Sequence, residues 1–363
     1  MIWLLVRSES GPVDLAVYRA AGEVVWNGSS AIYADDFGSQ TGTFLPFTYP
    51  PIAALLAVPL AAFPLGVDYI IWIAVSGWLF ARYVGREMLT TRLGRVVGLA
   101  LIVAVAFWVL PVTETLILGQ LGILLTLGCI AGSTGRHAWT ATVIGVLAAV
   151  KLTPLLFILY FALTRQWRRL AWSLGAFAGA TAVGFVALPS ESWQYFTELI
   201  GRGDRIGDPG YYSNQSIAGA LARLGVEGVA WALLACVVLI AGLWLARRWF
   251  LAGSPVGGAI AFGLTTVLIS PISWQHHAVW IVPSLILIYK TSTAKPVMIT
   301  LGVLLFLSLL RLPQWASGAD PVGVGMVPVG LALDAIALVV VALGVLMFIA
   351  RPSLAPSADS PQP

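Results

Sequence analysis

Polar and apolar positions are unevenly divided along this chain. Residues 7–49 are mixed and polar, whereas almost everything after them is apolar, with uncharged runs such as 99–113, 170–190 and 229–246. Each run can cross a hydrocarbon core of roughly 30 Å, or most of it, as a helix of about 20 residues. The pattern predicts helices over 67–85, 95–111, 116–133, 138–150, 154–163, 170–188, 226–246, 253–269, 277–289, 296–311 and 328–350. Segment 51–65 lies between Pro50-Pro51 and Pro64 and is short for a span. It reads as a short, tilted or re-entrant helix packed on protein, because unpaired backbone in lipid is costly. The arms 138–150 and 154–163 are also short, and suit a half-deep hairpin as well as two full spans.

Composition agrees: hydrophobic residues make up 59% of the chain and charged residues 10%, far from a soluble domain. The expected fold is all-α, a polytopic helical membrane protein with about 10–11 membrane helices, some short or re-entrant. Residues 1–350 read as a single membrane domain in which 7–49 forms an outer loop. The Pro/Ser-rich 351–363 reads as a disordered cytoplasmic tail. Residues 1–6 are too short for a spanning helix, and shorter than the apolar core of a signal peptide, roughly 7–15 residues.

The net charge of +4 reflects short basic clusters between helices, a topology signal that gives no reason to invoke nucleic acid. Placing Arg82 to Arg95, Arg136 with His137, Arg165 to Arg169, Arg247 with Arg248, Lys290 with Lys295, and Arg351 in the cytoplasm puts the alternate loops outside. Those are 112–118, 151–154, 189–215, 270–277 and 312–327. One outer face then collects Asp14, Glu114, Gln120, Lys151, Asn214, Gln215, His276, His277 and Arg311. Polar groups near membrane depth are expensive and usually face a cavity or a partner. Cys129 and Cys236 sit in apolar runs without metal-ligand spacing and read as packing residues. Adjacent histidines with no cysteine or carboxylate nearby in sequence are poor metal ligands, so neither metal nor cofactor is expected.

One carboxylate close to Lys, Arg or His suits sugar transfer from a lipid phosphate. The phosphate is already a competent leaving group, so the reaction needs a base for the acceptor hydroxyl and cations for the departing phosphate.

Several motifs in order carry a more specific signal: Asp14-Leu15-Ala16-Val17-Tyr18, Phe47-Thr48-Tyr49-Pro50-Pro51, Gly119-Gln120, Lys151-Leu152-Thr153-Pro154, and Ser270-Pro271-Ile272-Ser273-Trp274-Gln275-His276-His277. Together, over about residues 14 to 290, they resemble glycosyltransferase family 87. These are membrane enzymes of the GT-C superfamily, typified by mycobacterial polyprenol-phosphate-mannose-dependent α-1,2-mannosyltransferases. The resemblance implies a GT-C fold, inverting transfer without a required metal, Asp14 as catalytic base, and His276 and His277 at the donor or acceptor site. It also implies a membrane helix ahead of the Asp14 segment.

For each residue a plainer role stands beside the functional one. Asp14 could cap an amphipathic helix opened by Pro12-Val13-Asp14. Tyr18 could pack, and Tyr49 could anchor at the interface. Lys151 could hold donor phosphate, snorkel, or pair with Glu114. Glu114 and Gln120 would frame the pocket, and Asn214-Gln215-Ser216 would cap a helix or touch substrate. His276 and His277 would bind donor phosphate or acceptor sugar, or cap the next helix. In 190–214, a possible lid, Trp193 and Tyr195 read as interface markers.

The expected partners are a polyprenyl-phosphate-sugar donor, a glycolipid or polysaccharide acceptor, and membrane lipid, with the site facing outward from the plasma membrane of an actinobacterium. Mannose is the expected sugar. Arabinofuranose is the alternative sugar, and a non-catalytic scaffold or lipid transporter the alternative class.

Overall fold

The structure, a computed structural model, describes residues 11–29, 31–43, 45–226, 228–317, 332 and 334–350. The expectations for residues 1–6 and 351–363 and for most of 318–333 lie outside these. The described chain is helical and contains no strand. In order the helices are α1 (Val13–Trp26), α2 (Phe37–Thr41), α3 (Pro51–Ala57), α4 (Leu65–Met88), α5 (Arg92–Val97), α6 (Leu99–Trp108), α7 (Leu110–Leu118) and α8 (Gly122–Thr134). There follow α9 (Thr142–Val150), α10 (Phe157–Leu163), α11 (Trp167–Ala187), α12 (Pro189–Gln194), α13 (Ile217–Arg223) and α14 (Val229–Leu251). The last are α15 (Pro255–Ile269), α16 (Ile281–Thr291), α17 (Lys295–Leu309), α18 (Leu312–Ser317) and α19 (Ala335–Ile349).

Helices α4, α11 and α14 are long and apolar enough to cross a bilayer. Large apolar side chains such as Ile70, Val186 and Ile240 stand exposed along them, as lipid contact requires. The chain is a polytopic membrane protein in which, among the described residues, shorter apolar helices outnumber those long enough to span.

Two expected spans are corrected. Residues 95–111 divide at Gly98, which has φ +81°, and again at Val109, which precedes Leu110-Pro111. Residues 116–133 do not begin a span at 116, because α7 ends at Gly119 with φ +73° and α8 leaves at 115° to it. Segment 51–65 is a short helix continued by a 3-10 turn (Val58–Ala62) and packed beneath α1. A Cβ on Gly22 would stand 2.4 Å from the Ala57 carbonyl oxygen, so the two backbones meet there.

The expected aqueous loop 7–49 is also corrected. From Val13 it is a folded cap with its own core of Leu15, Tyr18, Ala21, Ile32, Tyr33, Phe37, Phe47 and Tyr49. The apolar positions of α1 recur on one helical face, which the cap buries. Tyr195 joins this core by stacking on Tyr33 at 5.7 Å, so it is no interface marker, whereas Trp193 is exposed. A second, larger core fills the bundle between α4, α7 to α10 and α14 to α19.

Candidate active site

The site lies where the cap core meets the bundle core. Helix α1 begins after Pro12 and carries Asp14 in its first turn, where unpaired backbone N–H groups favour a carboxylate. It docks on the elbow between α7 and α8. Gly119 permits the docking, since a Cβ there would fall 2.5 Å from Leu15 Cβ.

Gln120, next in the elbow, is the hub. Its Oε1 accepts from Tyr18 Oη at 2.9 Å and from Tyr49 Oη at 3.5 Å, while the two phenols lie 2.8 Å apart. Asp14 lies close enough to Gln120 for that side chain to favour its charged form. Burial pushes the Asp14 carboxyl up to about 6, with Gln120 and Lys151 pulling in the opposite direction. Tyr18 and Tyr49 are buried and pushed up by burial, so both remain neutral phenols.

Lys151 follows α9 in extended conformation, φ −147° and ψ 120°, which turns it out of the helix and into the site. Its Nζ lies 3.0 Å from His277 Nε2 and 5.3 Å from the centre of the Tyr49 ring. Its partner is thus His277 rather than Glu114. Burial lowers the Lys151 ammonium to about 8 and, with Lys151 nearby, holds His276 and His277 well below the ordinary histidine value. A neutral His277 Nε2 therefore accepts from the ammonium, which fixes its proton on Nδ1.

His276 packs its ring against His277 at 4.7 Å between centroids, and both its ring nitrogens are buried without a hydrogen-bond partner. The His276 carbonyl is held by Thr115 Oγ1 at 3.1 Å. Beside Lys151 and His277 a cavity of about 50 Å³ runs into the bundle, lined by Leu125, Cys129, Phe157, Val267 and Trp280. It pairs a basic mouth with an apolar floor.

Two predicted residues stand apart from this centre. Asn214 and Gln215 are fully buried, and their side chains serve the protein itself. Asn214 Oδ1 accepts from the Ser273 amide at 2.9 Å and from Ser216 Oγ at 2.9 Å, while Nδ2 donates to the Pro209 and Pro271 carbonyls. Gln215 Nε2 donates to the Tyr212 carbonyl, and Oε1 accepts from the Ala337 amide at 3.2 Å. Ser216 is the cap of α13, accepting from the Gly219 amide. These bonds tie segment 209–216 to the segment that leads into His276 and His277.

Glu114 lies among Gln275, Gln314 and Arg311, within electrostatic reach of Asp14. Sequence reasoning did not single out Gln275 or Gln314 as functional. Gln275 sat unremarked inside the motif ahead of the histidines, and Gln314 followed Arg311 in an outer loop. Among the described residues no three His, Cys, Asp or Glu side chains converge as metal ligands would.

Lys290 and Arg248 lie elsewhere. Helix α4 begins at the site, where Trp72 reaches the Gln120 carbonyl and Tyr69 the Ile117 carbonyl. It ends one membrane thickness away, where Glu87 pairs with Lys290 at 2.7 Å. Arg248 binds the Phe348 carbonyl at the distant end of α19, whose first turn meets Gln215. The polar groups of the candidate site and these basic groups thus occupy opposite ends of the bundle.

A membrane-embedded helical body, with a half-buried carboxylate in electrostatic reach of a Lys–His pair beside an apolar cavity, suits an enzyme acting on a lipid-borne group. Comparison with known proteins names the class: residues 47–271 match the profile of glycosyltransferase family 87. The chain is 33% identical, over 79% of its length and 72% of the relative's, to a polyprenol-phosphate-mannose-dependent alpha-(1-2)-phosphatidylinositol mannoside mannosyltransferase of Mycobacterium tuberculosis. It is 33% identical, over 87% of its length and 79% of the relative's, to a polyprenol-phosphate-mannose-dependent alpha-(1-2)-phosphatidylinositol pentamannoside mannosyltransferase of Mycolicibacterium smegmatis. No solved structure matches. The chain belongs to glycosyltransferase family 87 and is a membrane glycosyltransferase.

Proposed function

We propose that this enzyme moves mannose, with inversion, from a polyprenyl-phosphate-mannose donor to a mannosylated phosphatidylinositol on the outer face of the plasma membrane. The relatives' names support the donor and the acceptor class. Separation of the polar site from the basic end supports the outward orientation, since basic groups favour the cytoplasm. The observation that carries the mechanism is the position of Asp14, half-buried near Gln120 and within electrostatic reach of Lys151.

Asp14 takes the proton of the acceptor hydroxyl. The hydroxyl oxygen forms a bond to the anomeric carbon, and the bond from that carbon to the phosphate oxygen breaks with its electron pair going to the phosphate. A carboxyl near 6 is ionised at neutral pH yet basic enough to accept a proton as the new bond forms. The Lys151 ammonium meets the charge that develops on the departing phosphate, and His277 aims it. Gln120 orients Asp14 and is itself fixed by the two tyrosines. The first carbons of the lipid carrier fit the apolar cavity below Lys151.

The test is transfer by purified protein in lipid, from polyprenyl-phosphate-mannose and from polyprenyl-phosphate-arabinofuranose, onto a phosphatidylinositol mannoside. Mannosyl transfer alone is the expected result. Transfer only from the arabinofuranose donor would replace the sugar, and transfer from neither would contradict the proposal.

A further inference from the structure

A second polar station lies outside the Asp14–Lys151–His277 centre. Glu114 on α7, Gln275 on the 3-10 turn Gln275–Trp280, and Gln314 on α18 converge from three elements far apart in sequence. Gln314 Nε2 donates to Glu114 Oε1 and lies 2.5 Å from the Gln275 side-chain oxygen. In that arrangement the Gln275 oxygen faces the Glu114 carboxylate, acceptor against acceptor. With the Gln275 amide reversed, its nitrogen reaches both Glu114 oxygens, at 3.0 and 3.2 Å, but then stands 2.5 Å from the Gln314 nitrogen.

With Glu114 ionised, each orientation leaves one mismatched pair face to face. A hydroxyl resolves either one, because it donates and accepts at the same time. The cluster is also reachable: Gln275 is fully buried, but Glu114 and Gln314 keep partial exposure. A carboxylate flanked by two amides is the side-chain set that vicinal sugar hydroxyls engage, with charge-assisted bonds to the carboxylate.

Position decides which sugar is meant. Glu114 lies within electrostatic reach of Asp14 and Arg311, and Tyr212 within reach of Glu114. Lys151 acts instead on Asp14, His276 and His277. Asp14 is therefore within reach of both stations. In a displacement with inversion the base lies beside the attacking hydroxyl and the phosphate departs on the opposite side.

We infer that Glu114, Gln275 and Gln314 form a subsite that binds ring hydroxyls of the acceptor sugar and presents its reacting hydroxyl to Asp14. This rests on the glycosyl-transfer reading above. Specificity for the acceptor then resides in this cluster, while the donor is held across the site by Lys151 and His277.

The experiment compares wild type, Glu114→Gln and Gln314→Ala, each as the full chain in lipid nanodiscs, with two readouts. The first is binding of methyl α-mannobioside by saturation-transfer NMR, which needs no turnover. The second is initial transfer rate with acceptor or donor varied in turn. In the Glu114→Gln variant the disaccharide Kd and acceptor KM rise roughly tenfold to a hundredfold, the loss expected for hydrogen bonds to a charged partner. The donor KM stays within about twofold, and the thermal midpoint of this near-isosteric variant is unmoved; Gln314→Ala moves Kd in the same direction.

Unchanged Kd in both variants, absence of binding by wild type, or a rise confined to the donor KM would overturn the inference. Disaccharide binding that the variants lose, together with no transfer by wild type under any condition, would sink the proposed reaction and leave the subsite standing.

Discussion

Lys151 Nζ and His277 Nε2 lie 3.0 Å apart, joined across 126 residues of chain. The pair couples the apex after α9 to the turn before α16. It also sets the charge of the site, because a neutral imidazole accepts a hydrogen bond from the ammonium and leaves Lys151 as the cation.

The pH dependence follows from that pair and from Asp14. Transfer requires ionised Asp14, so kcat/KM rises as pH passes about 6, and it requires protonated Lys151, so kcat/KM falls as pH passes about 8. The expected profile is a bell between these values, measured as initial rates from pH 5 to 9. His277→Leu moves the alkaline limb, since the ammonium loses its acceptor. An alkaline limb that stays in place would remove His277 from this role.

Stability should show the same group with its own sign. The folded-state value of Asp14 lies above its unfolded value of 3.8. The folded protein therefore binds the extra proton between these values, and this contribution to stability is lost as pH rises from about 4 to 6. Asp14→Asn lacks that dependence. Thermal midpoints of the two proteins across this range are expected to diverge, with the variant the more stable at neutral pH.

The sequence carried part of this arrangement. Asp14, Gln120, Lys151 and His277 could be grouped because each breaks an apolar run or opens a loop on the same side of the membrane. The elbow at Gly119 could not be read, because its positive φ matters only once Leu15 docks against it from a distant segment. For the same reason 95–111 looked like one span: Gly98 and Val109 carry no local signal strong enough to outweigh the apolar run. The cap was read as an aqueous loop because its core draws on Tyr33, Phe47 and Tyr195, spread over three segments with no shared period. Asn214 and Gln215 could be read as helix caps or as substrate contacts, because a side chain that binds its own backbone has the same letters as one that binds sugar.

Gly119→Ala tests the elbow. The added methyl meets Leu15 Cβ, and alanine is strained at φ +73°. The variant should lose roughly 1–3 kcal/mol of stability, the range for overpacking. It should lose kcat beyond that, because α1 carries Asp14. Gly302→Ala, in open space on α17, is the control and should leave both unchanged.

Asn214→Leu separates support from binding. Each buried partner left unpaired costs about 1–3 kcal/mol, and the Ser273 amide and Ser216 hydroxyl lose their acceptor. The expected result is a large fall in thermal midpoint, with the KM values of the surviving folded fraction close to wild type. A normal midpoint with a raised KM would instead make Asn214 a substrate contact.

The central claim is that Asp14 takes the acceptor proton, and single-turnover transfer by Asp14→Asn tests it most directly. Wild type and variant are loaded with polyprenyl-phosphate-mannose, mixed with a phosphatidylinositol mannoside, and followed to product in one turnover. The account predicts unchanged donor binding and a transfer rate lower by roughly 10²–10⁴, the range for a general base. A transfer rate within a few-fold of wild type, in a variant that binds donor and melts normally, would contradict it.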